Sequence, residues 1–140
     1  MNIAFDIGGV ISKYPDVLKK LMSKLMDTNC EIYIITDMHD KKHVNSILQT
    51  NGIYLPLDHI HCADYNKYGD MCKAILLRDL KIDLMFDDFI GYLGWDSTFG
   101  DAPIRLLVMP DSFKPYWHTD WKTNDDLEFG RRVYSESTNS

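Results

Sequence analysis

The chain has 140 residues, 45% of them hydrophobic and 26% charged, with a formal net charge of -6. This length fits one domain with a substantial core, and the composition is that of an ordinary globular protein. The acidic balance argues against a general nucleic-acid-coating surface, which needs clustered Lys and Arg, but it leaves room for a local phosphate pocket.

Asn2-Ile3-Ala4-Phe5 opens the chain and runs into Asp6 and Gly8-Gly9, a short apolar run closed by glycines that predicts a buried strand. No basic stretch precedes it and Asp6 interrupts its apolar run, so no signal peptide is expected. Pro15-Asp16 then starts a helix with Leu18, Leu21, Met22, Leu25 and Met26 at helical spacing. Residues 31–36 (Glu-Ile-Tyr-Ile-Ile-Thr) are β-branched and aromatic, as a second strand requires. A helix follows over 40–50 with Val44, Ile47 and Leu48 as its apolar stripe, stopped by Asn51-Gly52. His59-Ile60-His61-Cys62 reads as a third strand, and Asp70 as the N-cap of a helix carrying Met71, Ala74, Ile75, Leu76 and Leu80. Ile82 to Phe86 gives a fourth strand ended by Asp87-Asp88, and Ile104 to Met109 a fifth, stopped by Pro110.

Alternation of this kind predicts βαβ units and an α/β fold: a three-layer α/β/α sandwich around a central parallel sheet of about five strands. The core is expected over 1–110, with a C-terminal aromatic appendage over 111–134 carrying Tyr116, Trp117 and Trp121. Together they make a single domain over 1–134, in which 125–134 is a further helix and 135–140 is a disordered tail. No segment reaches the roughly 18 apolar residues of a membrane span. Cys30, Cys62 and Cys72 are odd in number and form no C-x-x-C pair, the pattern of reduced intracellular thiols. A cytoplasmic location is expected.

Ligands of parallel α/β sheets gather at the carboxyl ends of strands. Here strand one ends at Asp6, strand two at Thr36-Asp37 and strand four at Asp87-Asp88, with Lys67 just ahead of the third helix. Crowded carboxylates need a cation between them, and oxygen-only ligands favour Mg²⁺. A Lys and a Thr nearby suit a phosphate oxygen, giving neutralisation and hydrogen bonding.

Phe5-Asp6-Ile7-Gly8-Gly9-Val10 resembles the first motif of the haloacid dehalogenase-like superfamily, an apolar strand followed by D-x-D-G-[TV]. Ile34-Ile35-Thr36 resembles its second motif, Lys67 sits where its third-motif Lys would fall, with Lys73 as a competitor, and Met85-Phe86-Asp87-Asp88 resembles its acidic fourth motif. The resemblance implies a Rossmann-like fold and an Mg²⁺-dependent phosphatase. Asp6 would be the nucleophile, forming an aspartyl-phosphate that water hydrolyses. Asp6, the carbonyl of Gly8, and Asp88 would hold Mg²⁺, with Asp87 in close support. Thr36 and Lys67 would hold phosphate oxygens, with Ile7, Gly8 and Asp37 around them.

Gly8 departs from the family pattern. A second Asp there is the usual general acid, and losing such a group forfeits about 10²–10⁴-fold in rate. Asp37 or His39 is a candidate substitute, and a catalytically inactive binding or regulatory protein of the same fold is the alternative reading. Only about 25 residues separate Val10 from Thr36, and 37–67 holds one helix and one short strand, so no cap domain is expected. By resemblance, capless members act on large phosphorylated substrates such as phosphoproteins or nucleic-acid ends, or use an oligomeric or protein partner as lid; a nucleotide is also considered.

Histidines offer a rival site. His39 and His43 have the i,i+4 spacing of zinc hydrolases, and His59 and His61 share a strand face, which would make a zinc centre. Asp in place of the general-base Glu weighs against it. A phospho-receiver domain fails on order, because its acidic pair follows strand one and its acceptor Asp lies on strand three.

Overall fold

Strands form where apolar and β-branched residues run together: β1 (Asn2–Phe5), β2 (Glu31–Thr36), β3 (Ile60–Cys62), β4 (Leu84–Asp87) and β5 (Ile104–Leu107). In the computed structural model, which describes residues 1–89, 104–107, 129 and 132–137, they pair in parallel in the order β3-β2-β1-β4-β5. The expected aromatic cluster of Tyr116, Trp117 and Trp121 lies outside the described residues. Among the described residues, no helix is long and apolar enough to cross a membrane.

The connecting helices are α1 (Pro15–Asp27), α2 (Lys41–Thr50), the single turn α3 (Tyr65–Tyr68) and α4 (Cys72–Asp79). Pro15 starts α1, where a missing N–H costs nothing. The Asp40 side chain caps α2 by accepting from the N–H groups of Lys42 and His43. α1, α2 and α4 share one way of stopping. A residue with positive φ (Asn29, Gly52 or Lys81) follows the C-cap, and the next N–H bonds back to Leu25, Leu48 or Leu77 respectively. This closure also explains why β4 starts later than expected. Ile82 belongs to the end of α4, its N–H donating to Leu77 O at 2.9 Å, and pairing with β1 begins at Leu84.

Alternation along the strands sorts the core into two faces. Ile3 and Phe5 of β1, Ile32 and Ile34 of β2 and Phe86 of β4 pack with Leu18 and Met22 of α1 and Val44 and Leu48 of α2. Ala4, Ile35 and Met85 point the other way, against Leu77 of α4. Helices therefore cover both faces of the parallel sheet, and each fully buried aliphatic side chain contributes about 1.5–3 kcal/mol.

Two local expectations change. Met71, not Asp70, occupies the N-cap position of α4, because residues 69–71 form a 3₁₀ turn ahead of it. Helical backbone also runs through Ser135 and Glu136, inside the segment read as a disordered tail. The adjoining Val133 and Tyr134 pack on Met71, Ala74 and Ile75, and Arg78 Nη1 donates to Tyr134 O at 2.8 Å. That packing gives the segment a reason to be ordered.

Candidate active site

The strand order reverses direction between β1 and β4, and the crevice beyond their carboxyl ends is where such sheets hold ligands. β1 delivers Asp6 to this point, its N–H donating to Phe86 O at 2.9 Å. β4 ends beside it with Asp87 and then Asp88. Between the two strand ends stands Lys73. Its Nζ lies 2.8 Å from Asp87 Oδ2 and 3.2 Å from Asp6 Oδ2. Lys73 is 1% exposed, Asp87 0% and Asp6 5%, so this is a buried three-member charge cluster.

The lysine at the site is thus Lys73, not Lys67. The reason lies in helix geometry. Lys73 sits one turn ahead of Leu77, which packs on Ala4, Ile35 and Met85, so its side chain lies over the ends of the same strands. Lys67 belongs to the separate turn α3, ended by Gly69, and is exposed with its Nζ 4.9 Å from the centre of the Tyr68 ring. It lines a different cavity of about 210 Å³ with Tyr68, Val133 and Glu136. Helical spacing gives only a hint of Lys73, a lysine at i−4 from a core leucine, and does not by itself choose between the two lysines.

Asp87 uses both oxygens, accepting from Lys73 through Oδ2 and from the Phe89 N–H through Oδ1 at 2.9 Å. Its task is to hold Lys73. Asp6 is less committed. Its Oδ1 is buried and meets no hydrogen-bond partner of good geometry among the described residues, while the Ile7 N–H stands close enough to favour the charged carboxylate. A cleft of about 370 Å³ opens over it, lined by Asp6, Gly8, Asp37, Lys73, Asp88 and Phe89. Ile7 and Thr36 lie behind this wall, both buried; the Thr36 hydroxyl accepts from the Met38 N–H at 3.3 Å and shapes the turn that presents Asp37.

The two glycines differ. Gly9 has φ +69°, and a Cβ there would overlap the Asp88 carboxylate. Gly8 has φ −64° and ψ 131°, open to any residue, and a Cβ would meet nothing within 4 Å. Gly9→Ala is therefore expected to cost about 1–3 kcal/mol, whereas Gly8→Ala is neutral or stabilising by up to about 1 kcal/mol. Thermal denaturation of the two variants checks the contrast.

Burial, opposed by the charge of Lys73 and reinforced by Asp87, pushes the pKa of Asp6 up from 3.8 to about 7. Asp87 and Asp88 are raised too, first by burial. Burial disfavours the charge on Lys73, but Asp87 and then Asp6 outweigh it and hold the ammonium above the ordinary lysine range. A carboxyl whose folded pKa is raised contributes stability that is present at low pH and lost as pH climbs through the folded value. The metal-free protein is therefore expected to lose a few kcal/mol between pH 4 and about 7 on this account. Urea denaturation in EDTA across this range, with Asp6→Asn showing a shallower decline, checks it.

Oxygens of Asp6, Asp87 and Asp88 lie within 4.8 Å of one another, the one group among the described residues able to hold a metal. An unpartnered buried carboxylate oxygen and an oxygen-only donor set suit a hard divalent cation such as Mg²⁺. Among the described residues no group of three or more possible metal ligands contains a histidine, although His59 and His61 both stand against the Tyr33 ring. His39 precedes the Asp40 cap and lies outside α2. His59 stacks on Tyr33 at 4.5 Å, and its Nδ1–H donates to the Ile32 carbonyl at 2.8 Å.

No family model matches the chain, and no curated protein matches its sequence. Among solved structures, the chain is similar to the class C acid phosphatase from Bacillus anthracis, with a TM-score of 0.54 and 13% identity. The match covers 96% of this chain and 78% of that one. At that identity the likeness is one of fold alone.

Proposed function

We propose that this protein is an Mg²⁺-dependent phosphohydrolase of haloacid dehalogenase type acting through Asp6. The observation that carries this reading is the Asp6–Lys73–Asp87 cluster, which leaves Asp6 Oδ1 buried and unpartnered beneath the cleft. Lys73 takes the role that the resemblance gave to Lys67. The lysine keeps Asp6 oriented through Oδ2 and offers its remaining charge to a phosphate oxygen, while Asp87 fixes the lysine. Asp6, Asp88 and the carbonyl of Gly8 would hold Mg²⁺, which supplies positive charge between an anionic nucleophile and an anionic phosphate. Asp6 attacks phosphorus, the bond to the leaving oxygen breaks, and water later releases phosphate from the aspartyl group. The distant likeness to an acid phosphatase agrees with phosphatase-type chemistry. In this reading the site has no cap domain, so it stays open to a macromolecular phosphoester or to a partner acting as lid.

The test is hydrolysis of p-nitrophenyl phosphate, expected to require Mg²⁺ and to stop in EDTA. Asp88→Ala is expected to weaken Mg²⁺ binding by at least about 10–100-fold, the loss seen even for groups one shell out from a metal. Calorimetry reads that directly; undiminished Mg²⁺ affinity in the variant would overturn the metal assignment. Gly8 favours a second reading, an inactive binding protein of the same fold, which predicts Mg²⁺ binding without turnover under any phosphate.

A further inference from the structure

The helix that carries Lys73 is packed from two sides. α4 has eight residues and, among the described residues, no side chain capping its first turn. So short a helix is marginal without tertiary packing. It must nevertheless keep an ammonium group buried between two carboxylates, which is favourable only in accurate geometry. One side of α4 meets the sheet through Leu77, one turn from Lys73. By helical periodicity Met71, Ala74, Ile75 and Arg78 fall on the other side, and the C-terminal segment lies there. Val133 and Tyr134 pack on Met71, Ala74 and Ile75, all three of them buried. The Arg78 guanidinium stands 4.7 Å from the centre of the Tyr134 ring, and its Nη1 donates to Tyr134 O at 2.8 Å. The contact extends to the turn ahead of α4, where Gly69 has φ +58° and a Cβ would stand 3.1 Å from Phe129 Cε1. The C-terminal segment thus follows residues 69–78, the stretch that carries Lys73, along its length.

We propose that Tyr134, clasped by Arg78, is a positioning residue: the C-terminal segment backs α4 against the sheet and so sets the Lys73 ammonium between Asp6 and Asp87. For turnover the proposal rests on the phosphohydrolase reading above; for the placement of Lys73 it does not. Leu77 ties α4 to the strands, and packing from the opposite side stops the helix from rolling or lifting about that contact. A small lift is enough to part Lys73 from Asp6, the longer of its two contacts at 3.2 Å. A lysine drawn away from Asp6 no longer orients the nucleophile or presents its charge to a phosphate oxygen. Tyr134 acts through α4 and not on the reacting atoms.

The experiment uses the intact chain and its Tyr134→Ala, Tyr134→Phe and Arg78→Met variants, each at a temperature where circular dichroism shows it folded. Lysines are reductively methylated with formaldehyde and cyanoborohydride, and the sites are mapped by mass spectrometry. In the parent, buried Lys73 is expected to be protected and exposed Lys67 to react rapidly. Tyr134→Ala is expected to raise the Lys73 rate at least about 10-fold with Lys67 unchanged, the sign of a local opening. Amide exchange then loses protection over 72–79 and keeps it in β1 and β2. Tyr134→Phe, which keeps the ring, restores the parent pattern. Arg78→Met, which loses the tie to Tyr134 O, lies between them and carries the test should Tyr134→Ala fail to fold. With p-nitrophenyl phosphate, turnover per Mg²⁺-binding site, counted by calorimetry, is expected to fall about 10–10²-fold in Tyr134→Ala while Mg²⁺ affinity does not weaken. A mere loss of folded protein would leave turnover per site unchanged. Unchanged Lys73 labelling in folded Tyr134→Ala would overturn the proposal. So would protection lost evenly over α4, β1 and β2, which marks a segment that serves only overall stability. Faster Lys73 labelling in a protein whose parent shows no turnover would uphold the placement of Lys73 and overturn the phosphohydrolase reading alone.

Discussion

Lys73→Met is expected to lower folding stability by about 3–5 kcal/mol at pH 8, a large fraction of what a domain of this size possesses. The substitution keeps most of the side-chain volume, so a cavity is not the cause. What changes is charge. Asp87 is wholly buried and Asp6 nearly so, and both direct an oxygen at the Lys73 ammonium at 2.8 and 3.2 Å. Removing the cation leaves two desolvated carboxylates facing each other, which costs far more than the intact cluster contributes. The two carboxyls of the variant take up protons more readily as pH falls, so the deficit narrows toward pH 5. Urea midpoints at pH 8 and pH 5 read the effect. Lys67→Met serves as the control and is expected to leave stability unchanged, since that side chain is exposed away from the site. A Lys73 variant as stable as the Lys67 variant would refute the buried cluster.

Asp6→Asn is expected to lower phosphate turnover by about 10⁴-fold or more, the scale on which removal of a nucleophile acts. The stability effect runs the other way from Lys73→Met. Burial already holds the Asp6 carboxyl near a pKa of about 7, so its ionised form opposes folding at pH 8 in the metal-free protein. A neutral amide removes that opposition, and Lys73 keeps its shorter bond to Asp87. The variant is therefore expected to fold within about 1 kcal/mol of the parent, or above it, while losing chemistry. Stopped assays with p-nitrophenyl phosphate, paired with thermal denaturation of the same preparations, check both halves. Turnover that survives the Asp6→Asn substitution would end the role of Asp6 as nucleophile. Destabilisation as large as that of Lys73→Met would show that Asp6, not Asp87, is the main partner of the lysine.

Periodicity and glycine or proline punctuation were enough to locate β1, β2, α1 and α2 nearly to the residue, because each is a local matter of apolar spacing and end signals. They were also enough to place Asp6, Asp37, Asp87 and Asp88 at strand ends. In a parallel sheet all strand ends of one sense share one edge, so carboxylates found there in the sequence are neighbours in space. The lysine was not decidable this way. Lys67 and Lys73 lie six residues apart in a segment that could have been one helix or two. A positive φ at Gly69 and the 3₁₀ turn at residues 69–71 decide that only the second turns inward over the strands. Nor does order along the chain show that Asp87 is wholly buried and spends both oxygens on Lys73 and Phe89, which makes it a support for the lysine. The difference between Gly8 and Gly9, adjacent and identical in sequence, likewise exists only in φ and in what a Cβ would meet. The α/β alternation and the acidic strand ends were legible in the residues alone, because they follow from local pattern and the rules of parallel sheets. Which cation compensates the carboxylates, and which glycine is dispensable, emerged only once the chain was folded. Both depend on the direction a side chain points and on distances between segments far apart in the chain.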